Sequence, residues 1–573
     1  MTMKKYIGLS IIALSLGLTS CNDWLDKLPD NRMELKTPED ITDLLTSAYP
    51  ETHPAYLLEM YSDNADLCDN NGWDEADRFQ RQAWQWDDIT EIRDDESPQE
   101  LWNKHYSAVA AANAAIEYID GLDPVEASQY SAQLGEALLC RAYAMFQLST
   151  VFCNAYDPST ANTEKGLPYP TATERRVGEV YERGTLAELY ENIDADIQRA
   201  LPLVKNAYSH PKFHFTPNAA FAFAARFYLN YQKYEKTIDY ANRVLGDNPT
   251  IVLRDWAAYD ALQPNGQIQP EFYISSDNRA NLLIQSVYSQ WGAIGGPYQH
   301  LGDKYAHGNR ISNDETMQST GPWGNSTDFR YTVWYNRSLS KYIFRKVPYE
   351  FEYTDVQARI GYAHAIYCPF TTDILLLERA EAYALLGNTQ SAVNDINAEL
   401  SVFHRESPVL TAESITEFYN SIDYYIPKAY TTTLKDKNGN VVKDENGLEV
   451  KVTHGPTPKK HLHPTFDIGE EGKTKECLLQ CILHLRRILT LHEGLRMQDV
   501  KRYGIVVYRR TMNANFDITN VTDSLTVKDP RRAIQIPQDV ITAGLEGNTR
   551  VQTSNQEGNI VNMVIAPKKD QFK

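Results

Sequence analysis

Residues 216–245 read TPNAAFAFAARFYLNYQKYEKTIDYANRVL, and this segment is the clearest guide to the architecture of the chain. Thr216 before Pro217 is typical of a helix start, because threonine caps free amide groups and proline fits the first helical position. Small residues then recur at positions 219, 220, 222, 224 and 225, and a short turn leads into a second helical segment, Tyr234–Leu245. The segment therefore predicts a hairpin of two helices.

The same plan recurs later in the chain. A helical segment at 373–386 is followed by Gly387-Asn388 and a second helical segment at 389–400. In the first of these pairs, one helix carries small residues and the next carries a Tyr-x-x-x-Ile-x-x-Ala pattern. This combination resembles a tetratricopeptide hairpin. Two such hairpins predict an α-solenoid-like scaffold, although their irregular spacing argues against a continuous repeat array. Further helices are predicted from Thr37-Pro38 onward and at 101–119, 127–152 and 185–201.

Two long regions interrupt the helical pattern. Residues 250–370 are rich in glycine, asparagine, proline and aromatic residues and predict a loop-rich lobe. Residues 427–470 contain Asn438-Gly439 and Asn446-Gly447 between β-forming residues, which predicts two tight turns in a small β-meander. Acidic residues nearby also suggest calcium, but glycine does not stand at the sixth position that an EF-hand loop needs. A plain hairpin is therefore the preferred interpretation.

The N-terminus has the features of an export signal. Lys4 and Lys5 precede an apolar segment, residues 6–18, that is too short to span a bilayer as a mature helix. Leu-Thr-Ser directly before Cys21 is typical of a bacterial lipoprotein signal, so cleavage is expected to leave Cys21 lipidated and membrane-anchored. The alternative is an ordinary secretory signal with a coincidental cysteine.

These patterns predict the organisation of the whole chain. Residues 1–20 are the signal, 21–36 a lipidated tether, and 37–573 a single mainly α domain. Within that domain the helical scaffold covers 37–249, 371–426 and 471–510, the loop-rich lobe covers 250–370, and the β-meander insertion covers 427–470.

Composition narrows the class of ligand. The chain has 573 residues with a formal charge of −20, and removing the signal with its two lysines makes the charge −22. Such an acidic protein lacks the basic surface that nucleic-acid binding requires. Six cysteines would remain after lipidation of Cys21, and they are too scattered for a disulfide scaffold.

Residues 485–504, LRRILTLHEGLRMQDVKRYG, carry a resemblance to a known family. This segment resembles the C-terminal signature of the SusD/RagB family, with Glu493-Gly494, Arg496, Asp499 and Arg502 in place and leucines at 485 and 489 where the family has acids. Ala380-Glu381-Ala382, Arg141-Ala142, Trp102-Asn103 and Ile536-Pro537 match other family motifs in order. Glu493, Arg496 and Asp499, at spacings of three, are expected to share one helix face and to hold the fold together by charge pairing.

The resemblance implies a non-enzymatic lipoprotein on the outer face of a Bacteroides-type outer membrane. It also implies a ligand-facing lobe and a TonB-dependent, SusC-like β-barrel transporter as the partner, to which the protein delivers glycans. The close alternative is a peptide cargo, as in RagB-like members. A surface glycosidase and an adhesion lipoprotein are the remaining alternatives.

Aromatic residues in loops are the candidates for ligand binding, because a sugar presents an apolar face to a ring and hydroxyl groups to polar side chains. The family resemblance places ligand contacts in loops from roughly two regions of this chain, 70–86 and 288–335. The candidates are Trp73, Arg81, Trp291, Tyr298, Asn309, Trp323, Asn325 and Arg330. For the three tryptophans, which stand beside glycine, core burial is the open alternative, whereas Trp84, Trp86, Trp102 and Trp334 are expected in the core.

No cofactor or metal is predicted. Cys477, Cys481 and His484 share a helix face and could suggest zinc, but the surrounding leucine and isoleucine favour buried packing. A glycosidase needs two carboxylates at a fixed separation, and no local pattern singles out such a pair.

Overall fold

The computed structural model describes residues 36–68, 78–92, 95–175, 181–294, 304–337, 340–436 and 438–550. Cys21, Trp73 and Tyr298 lie outside these ranges, as do the signal and most of the tether. The α-helices are α1 Pro38–Leu45, α2 Ala55–Tyr61, α3 Arg78–Gln85, α4 Pro98–Asp120, α5 Pro124–Ala127, α6 Ser131–Phe152, α7 Leu186–Ala200, α8 Pro217–Asn230, α9 Tyr234–Leu245, α10 Trp256–Ala261, α11 Ile268–Ile274, α12 Trp291–Ile294, α13 Asn309–Glu315, α14 Thr372–Leu385, α15 Thr389–Phe403, α16 Ala412–Ser421, α17 Thr474–Leu489, α18 Arg496–Arg502 and α19 Gln538–Thr542.

The strands form small antiparallel sheets. They are β1 Asp66–Leu67, β2 Asn281–Tyr288, β3 Tyr305–Ala306, β4 Thr320–Gly321, β5 Gly324–Asn325, β6 Val333–Asn336, β7 Lys341–Phe344, β8 Tyr349–Asp355, β9 Ile360–Thr371, β10 Tyr430–Thr433, β11 Lys451–His454, β12 Val507–Met512 and β13 Ile518–Leu525. β2, β9 and β8 form a three-stranded sheet in that order, and the other strands pair in twos. In the part of the chain that the structure describes, no helix is both long enough and apolar enough to cross a membrane.

The predicted helical hairpins are confirmed. Thr216 caps α8 by accepting a hydrogen bond from the amide of Ala219, and α8 packs on α9 as the sequence indicates. Thr37 and Asp40 form a capping box at the start of α1, with Pro38 at the first helical position. α14 and α15 form the second hairpin, and α14 packs on α8, α9 and α17. The fold is mainly α, as predicted.

The region predicted as loop-rich contains more regular structure than expected. β2 to β9 all lie between residues 281 and 371, and their apolar side chains join the same core cluster as the helices. Gln285 on β2, for example, accepts a hydrogen bond from Tyr143 on α6 and donates one to the carbonyl of Pro50. The strand pairing was missed because β2 and β9 are distant in sequence, so no local turn signal marks them.

The β-meander insertion has the two predicted turns. β10 pairs with β11, and isolated bridges join Lys435 to Val441 and Lys443 to Glu449. Gly439 and Gly447 have φ of +84° and +79°. These left-handed conformations favour glycine, and both glycines stand at the turn positions predicted from the Asn-Gly pairs.

Buried ion pairs fasten the C-terminal helices to the scaffold. The carboxylate of Glu381 on α14 accepts hydrogen bonds from Arg486 at 2.5 Å, Arg502 at 2.7 Å and the Tyr503 hydroxyl at 2.7 Å. Arg486 also pairs with Asp499 at 2.5 Å, so one carboxylate on α14 holds α17 and α18 together. These motif residues are structural, as the sequence indicated.

One detail of the motif prediction is wrong. Glu493 does not share a helix face with Arg496 and Asp499, because α17 ends at Leu489 and α18 begins only at Arg496. His492 and Gly494 have φ of +69° and +75°, which breaks the helix between them. Glu493 accepts a hydrogen bond from the Tyr273 hydroxyl at 2.7 Å instead.

A second buried cluster surrounds Glu315 on α13. Its carboxylate lies 2.6 Å from Lys460, 2.9 Å from Arg487 and 3.4 Å from Arg510. Although burial opposes ionisation, these cations lower the pKa of Glu315 to about 2. Glu315 therefore remains a carboxylate in the folded protein far below its ordinary pKa of 4.5.

This cluster predicts a loss of stability in acid. A carboxyl group with a folded pKa below its unfolded pKa stabilises the fold above the unfolded value, and that stabilisation is lost as the pH falls through both values. We therefore expect the urea midpoint of the wild-type protein to fall progressively as the pH is lowered from about 5 to about 2. Glu315→Gln is expected to lower the midpoint at pH 7 and to flatten this dependence. A wild-type pH profile identical to that of Glu315→Gln would contradict the assignment.

Candidate functional site

Two predicted ligand contacts, Trp291 and Trp323, are core residues. Trp291 is 3% exposed, its ring stacks on Tyr56 at 4.6 Å, and its N–H donates to the carbonyl of His492 at 2.8 Å. Trp323 is 4% exposed and packs against the ring of His484 at 4.8 Å. The expectation that surface loops display these indoles is therefore wrong.

The neighbouring glycines explain the error. A Cβ on Gly321 would lie 2.3 Å from the ring of Trp323, and a Cβ on Gly292 would lie 2.4 Å from the carbonyl oxygen of Pro348. Both glycines therefore allow close packing in the interior, whereas glycine beside tryptophan was expected to mark an exposed loop. Trp84, Trp86 and Trp102 are buried as predicted, and Trp334 is half-buried.

The remaining described candidates are not linked directly to one another. Arg81 is exposed on α3, and Asn325 is exposed in the β4–β5 turn. Asn309 begins α13 and accepts a hydrogen bond from Asn313, while Arg330 lies 3.8 Å from Asp260. No ion pair or hydrogen bond joins any two of these four within the described ranges. Their role in binding stays a prediction.

The two regions that the resemblance selected are nevertheless neighbours. Asp66 and Leu67 on β1 pair with Ala306 and Tyr305 on β3. Trp84 stacks on Tyr305 with ring centroids 4.7 Å apart. Trp73 and Tyr298 themselves lie outside the described residues.

An open cleft of about 660 Å³ lies at another place on the scaffold. Five parts of the chain line it: the loop after α6, the end of α8 with Gln232, the segment 463–466, the end of α18, and the segment 527–532. We call it the loop–helix cleft. Gly504 is required at its wall, because its φ is +58° and a Cβ there would lie 2.6 Å from the carbonyl oxygen of His463.

Two half-buried aromatic rings line the cleft. Tyr156 is braced by the rings of Tyr190 and Tyr231, each at 4.8 Å. Phe466 packs edge-on against Tyr503 at 5.2 Å. Because both rings are fixed by packing, little conformational entropy would be lost when a ligand contacts them.

The carboxylates of the cleft loop are held in place by local hydrogen bonds. Glu164 accepts from the Asn154 amide and the Thr160 hydroxyl, each at 2.8 Å. Asp157 accepts from the backbone N–H of Ser159 at 2.9 Å and from its hydroxyl at 2.7 Å. The loop is therefore ordered by its own side chains, which is typical of a preformed binding loop.

The cations in the cleft wall mainly stabilise the backbone. Lys501 donates to the carbonyls of Thr150 at 2.6 Å and Cys153 at 2.9 Å, and burial lowers the pKa of Lys501 to about 7. Arg532 donates to the carbonyls of Val500 at 2.7 Å and Ile505 at 2.5 Å. Lys501 and Arg532 are thus engaged with the backbone, and the lining combines rings and neutral polar groups with the carboxylates of Asp157, Glu164 and Asp529 and the exposed Lys528.

The cleft was not predicted, although the sequence carries a signal for it. Asn-Ala-Tyr156-Asp-Pro and His-Pro-Thr-Phe466-Asp both place an aromatic residue beside proline in a polar segment. The tryptophans at 288–335 were selected instead because they stand beside glycine in loop-like stretches. That criterion does not select Tyr156 and Phe466, which are 310 positions apart and are brought to one cleft only by the fold.

Of the described residues, no group of three or more histidine, cysteine or acidic side chains could hold a metal ion. Cys477 and Cys481 are buried among apolar side chains of α17. His484 instead lies within hydrogen-bond distance of Ser319 at 3.1 Å and Tyr419 at 3.2 Å. This arrangement is the packing role that the surrounding leucines favoured.

The fold is that of the SusD superfamily. A SusD superfamily protein from Bacteroides thetaiotaomicron matches with a TM-score of 0.58 at 16% identity, covering 90% of this chain and 100% of the other. A SusD-like carbohydrate binding protein from Bacteroides vulgatus matches with a TM-score of 0.56 at 14% identity, covering 88% and 96%. A SusD superfamily protein from Parabacteroides distasonis matches with a TM-score of 0.53 at 13% identity, covering 90% and 100%. At these identities the likeness establishes the fold alone.

A match at the level of sequence points to the same family. Residues 23–229 match the SusD-like family described as "Starch-binding associating with outer membrane". The sequence match and the fold both make the chain similar to SusD-like proteins, the family that the motifs at 485–504 resemble. No curated protein matches the sequence significantly.

Proposed function

We propose that this chain is a cell-surface lipoprotein that captures an oligosaccharide and hands it to a TonB-dependent, SusC-like transporter. The observation that carries the proposal is the match of residues 23–229 to a family described as starch-binding and associated with the outer membrane. The shared fold of the SusD-like carbohydrate binding protein from Bacteroides vulgatus supports the same class of ligand.

The loop–helix cleft has the chemistry that a sugar needs. The rings of Tyr156 and Phe466 suit the apolar face of a pyranose. The amide groups of Asn154 and Gln232 and the hydroxyl of Thr465 suit its rim of hydroxyls. A net contribution of about 1 kcal/mol from each contact, set against the cost of association, gives a modest affinity. Modest affinity fits a protein that must release its cargo.

The proposed role requires no covalent chemistry. A glycosidase needs one carboxyl group with a raised pKa to donate a proton and a second carboxylate facing it. Asp157 and Glu164 instead accept hydrogen bonds within their own loop, and Asp529 pairs with Arg531 at 2.8 Å. We therefore propose binding and release without hydrolysis.

The lipoprotein signal predicted from the sequence and the match to an outer-membrane-associated family support the proposed anchoring and delivery. A lipidated Cys21 would hold the protein at the outer membrane, facing the exterior, with residues 22–36 as a tether. Copurification of a β-barrel protein with the full-length chain from detergent-solubilised membranes tests the partner. Isolation of the chain alone in mild detergent would count against delivery.

Removing one ring tests the cleft. Phe466→Ala is expected to weaken oligosaccharide binding about tenfold or less, because a ring contact contributes about 0.5–1.5 kcal/mol. Thr465→Trp, at an exposed position on the rim, is expected to place its indole over the neighbouring ring of Phe466 and to block sugar binding there. The measurement is titration calorimetry of the protein lacking its signal against maltoheptaose, other neutral oligosaccharides and a peptide panel.

The matched control is Phe213→Ala, which removes a ring that is 47% exposed and lies outside the cleft lining. All variants are compared at equal folded fraction, checked by thermal melting. Unchanged affinity in both Phe466→Ala and Thr465→Trp would mean that the binding site lies outside the loop–helix cleft. Binding of peptides with no response to any oligosaccharide would replace the glycan cargo with a peptide cargo.

A further inference from the structure

One face of the three-stranded sheet presents tyrosine and charged side chains outward. Residues directly opposite each other in antiparallel strands share a face, so the pairs Tyr288–His364 and His364–Glu350 form one row across β2, β9 and β8. The pair Glu352–Tyr362 forms the next row on the same face. We call this face the tyrosine platform.

Tyr362 is the most exposed ring of the platform. It is 56% exposed, and its ring meets Tyr288 edge-on at 5.5 Å with an interplanar angle of 71°. Tyr288 is fixed in turn by His364 at 4.7 Å and by the ammonium group of Lys104 at 5.6 Å. A supported ring with a free surface can stack on a ligand without first being ordered.

Hydrogen-bonding groups surround the two tyrosines. Lys104 donates to Glu51 at 2.7 Å, and His364 lies 3.1 Å from Glu352. The side chains of Lys104, Glu51 and Glu352 are 34%, 55% and 66% exposed, so each retains groups that a ligand can reach. Partial burial, together with the carboxylates of Glu51 and Glu352, raises the pKa of Tyr288 and keeps its hydroxyl a donor.

On the opposite face of the β8–β9 hairpin, an aromatic ring packs on small residues of the neighbouring strand, whereas Tyr362 does not. Phe351 lies over the small residues of β9, because a Cβ on Gly361 would be 2.8 Å from its ring. Ala363, opposite Phe351, and Ala365, opposite Tyr349, are buried on that face. Tyr362 has a glutamate opposite it instead, so its ring covers no small residue across the strand pair.

We propose that the tyrosine platform is a second carbohydrate-binding site, which takes one pyranose unit of a neutral glycan on the ring of Tyr362. Carboxylates and an ammonium group make strong, charge-assisted hydrogen bonds with sugar hydroxyls. Glu51, Glu350 and Glu352 would repel an anionic glycan. A protein partner needs on the order of 800 Å² of complementary surface per side, and one ring bounded by charges does not offer an apolar core for it.

The platform and the loop–helix cleft share no residue. A polysaccharide long enough to reach both sites would gain apparent affinity without any new contact. An oligosaccharide too short to reach both sites would bind them independently.

Affinity electrophoresis of Thr465→Trp tests the platform apart from the cleft. Gels containing amylopectin, pullulan, galactomannan or mixed-linkage β-glucan are the probes. We expect at least one polymer to retard Thr465→Trp, and the added Tyr362→Ala to raise the dissociation constant for that polymer at least fivefold. The matched control is Tyr353→Ala, which removes a ring that is 52% exposed on the opposite face.

Equal retardation with Tyr362→Ala and Tyr353→Ala would overturn the platform, as would a Thr465→Trp protein that no polymer retards. Neither result decides the cleft proposal, because titration calorimetry of the wild-type protein and the cleft variants tests that proposal separately. A wild-type protein that binds no oligosaccharide, together with a Thr465→Trp protein that depends on Tyr362, would reject the cleft and retain the platform.

Discussion

Replacing Glu381 with glutamine is expected to lower the free energy of unfolding by about 3–5 kcal/mol, the range for breaking a buried ion pair by removing one partner. Glu381 is fully buried, and its carboxylate contacts two guanidinium groups and the hydroxyl of Tyr503. Although burial opposes ionisation, Arg486 and Arg502 lower the pKa of Glu381 to about 2. Glutamine keeps the shape but leaves Arg502 buried without its carboxylate partner.

The measurement is urea unfolding at pH 7, followed by circular dichroism. Glu191→Gln is the matched control, because Glu191 is exposed on α7 and its loss is expected to cost less than about 0.5 kcal/mol. If Glu381→Gln lowers the free energy of unfolding by less than about 1 kcal/mol, water or structural relaxation must compensate the lost carboxylate at the two arginines.

The same ion pairs explain why the C-terminal motif was a good guide to the fold. Arg486 and Arg487 are adjacent on α17 but reach different clusters, one with Glu381 and Asp499, the other with Glu315. A charged motif in an apolar helix must find partners when it is buried, so its residue types alone indicate a structural role. Their partners on α13 and α14 could not be read from the sequence, because they lie more than 100 residues away.

Helix ends were predictable for a local reason. Thr37, Thr185 and Thr216 each cap the helix that follows them, and the cap depends only on residues within one turn. The β2–β9–β8 sheet was missed because strand pairing depends on distant segments. The tyrosine platform was missed for the same reason, since Tyr288 and Tyr362 meet only through that pairing.

Trp291→Ala is expected to destabilise the protein by about 3–5 kcal/mol, the usual cost of removing a buried tryptophan side chain. The indole is enclosed by Tyr56 on α2 and the backbone at His492, so its loss leaves a cavity and an unpaired carbonyl. Its position beside glycine in the sequence instead suggested a ligand contact, and the two roles predict opposite results.

Urea unfolding and calorimetry together separate these roles. If Trp291 is a core residue, its removal should reduce stability while the affinity per folded molecule stays at the wild-type value. Trp334→Ala serves as the control, because Trp334 is half-buried and its removal should cost less. A Trp291→Ala protein with wild-type stability and weakened glycan binding would mean that the ring leaves the core to meet the ligand. The binding site would then lie beside α12 rather than in the loop–helix cleft. Wild-type stability would also show that the fold does not depend on the burial of Trp291.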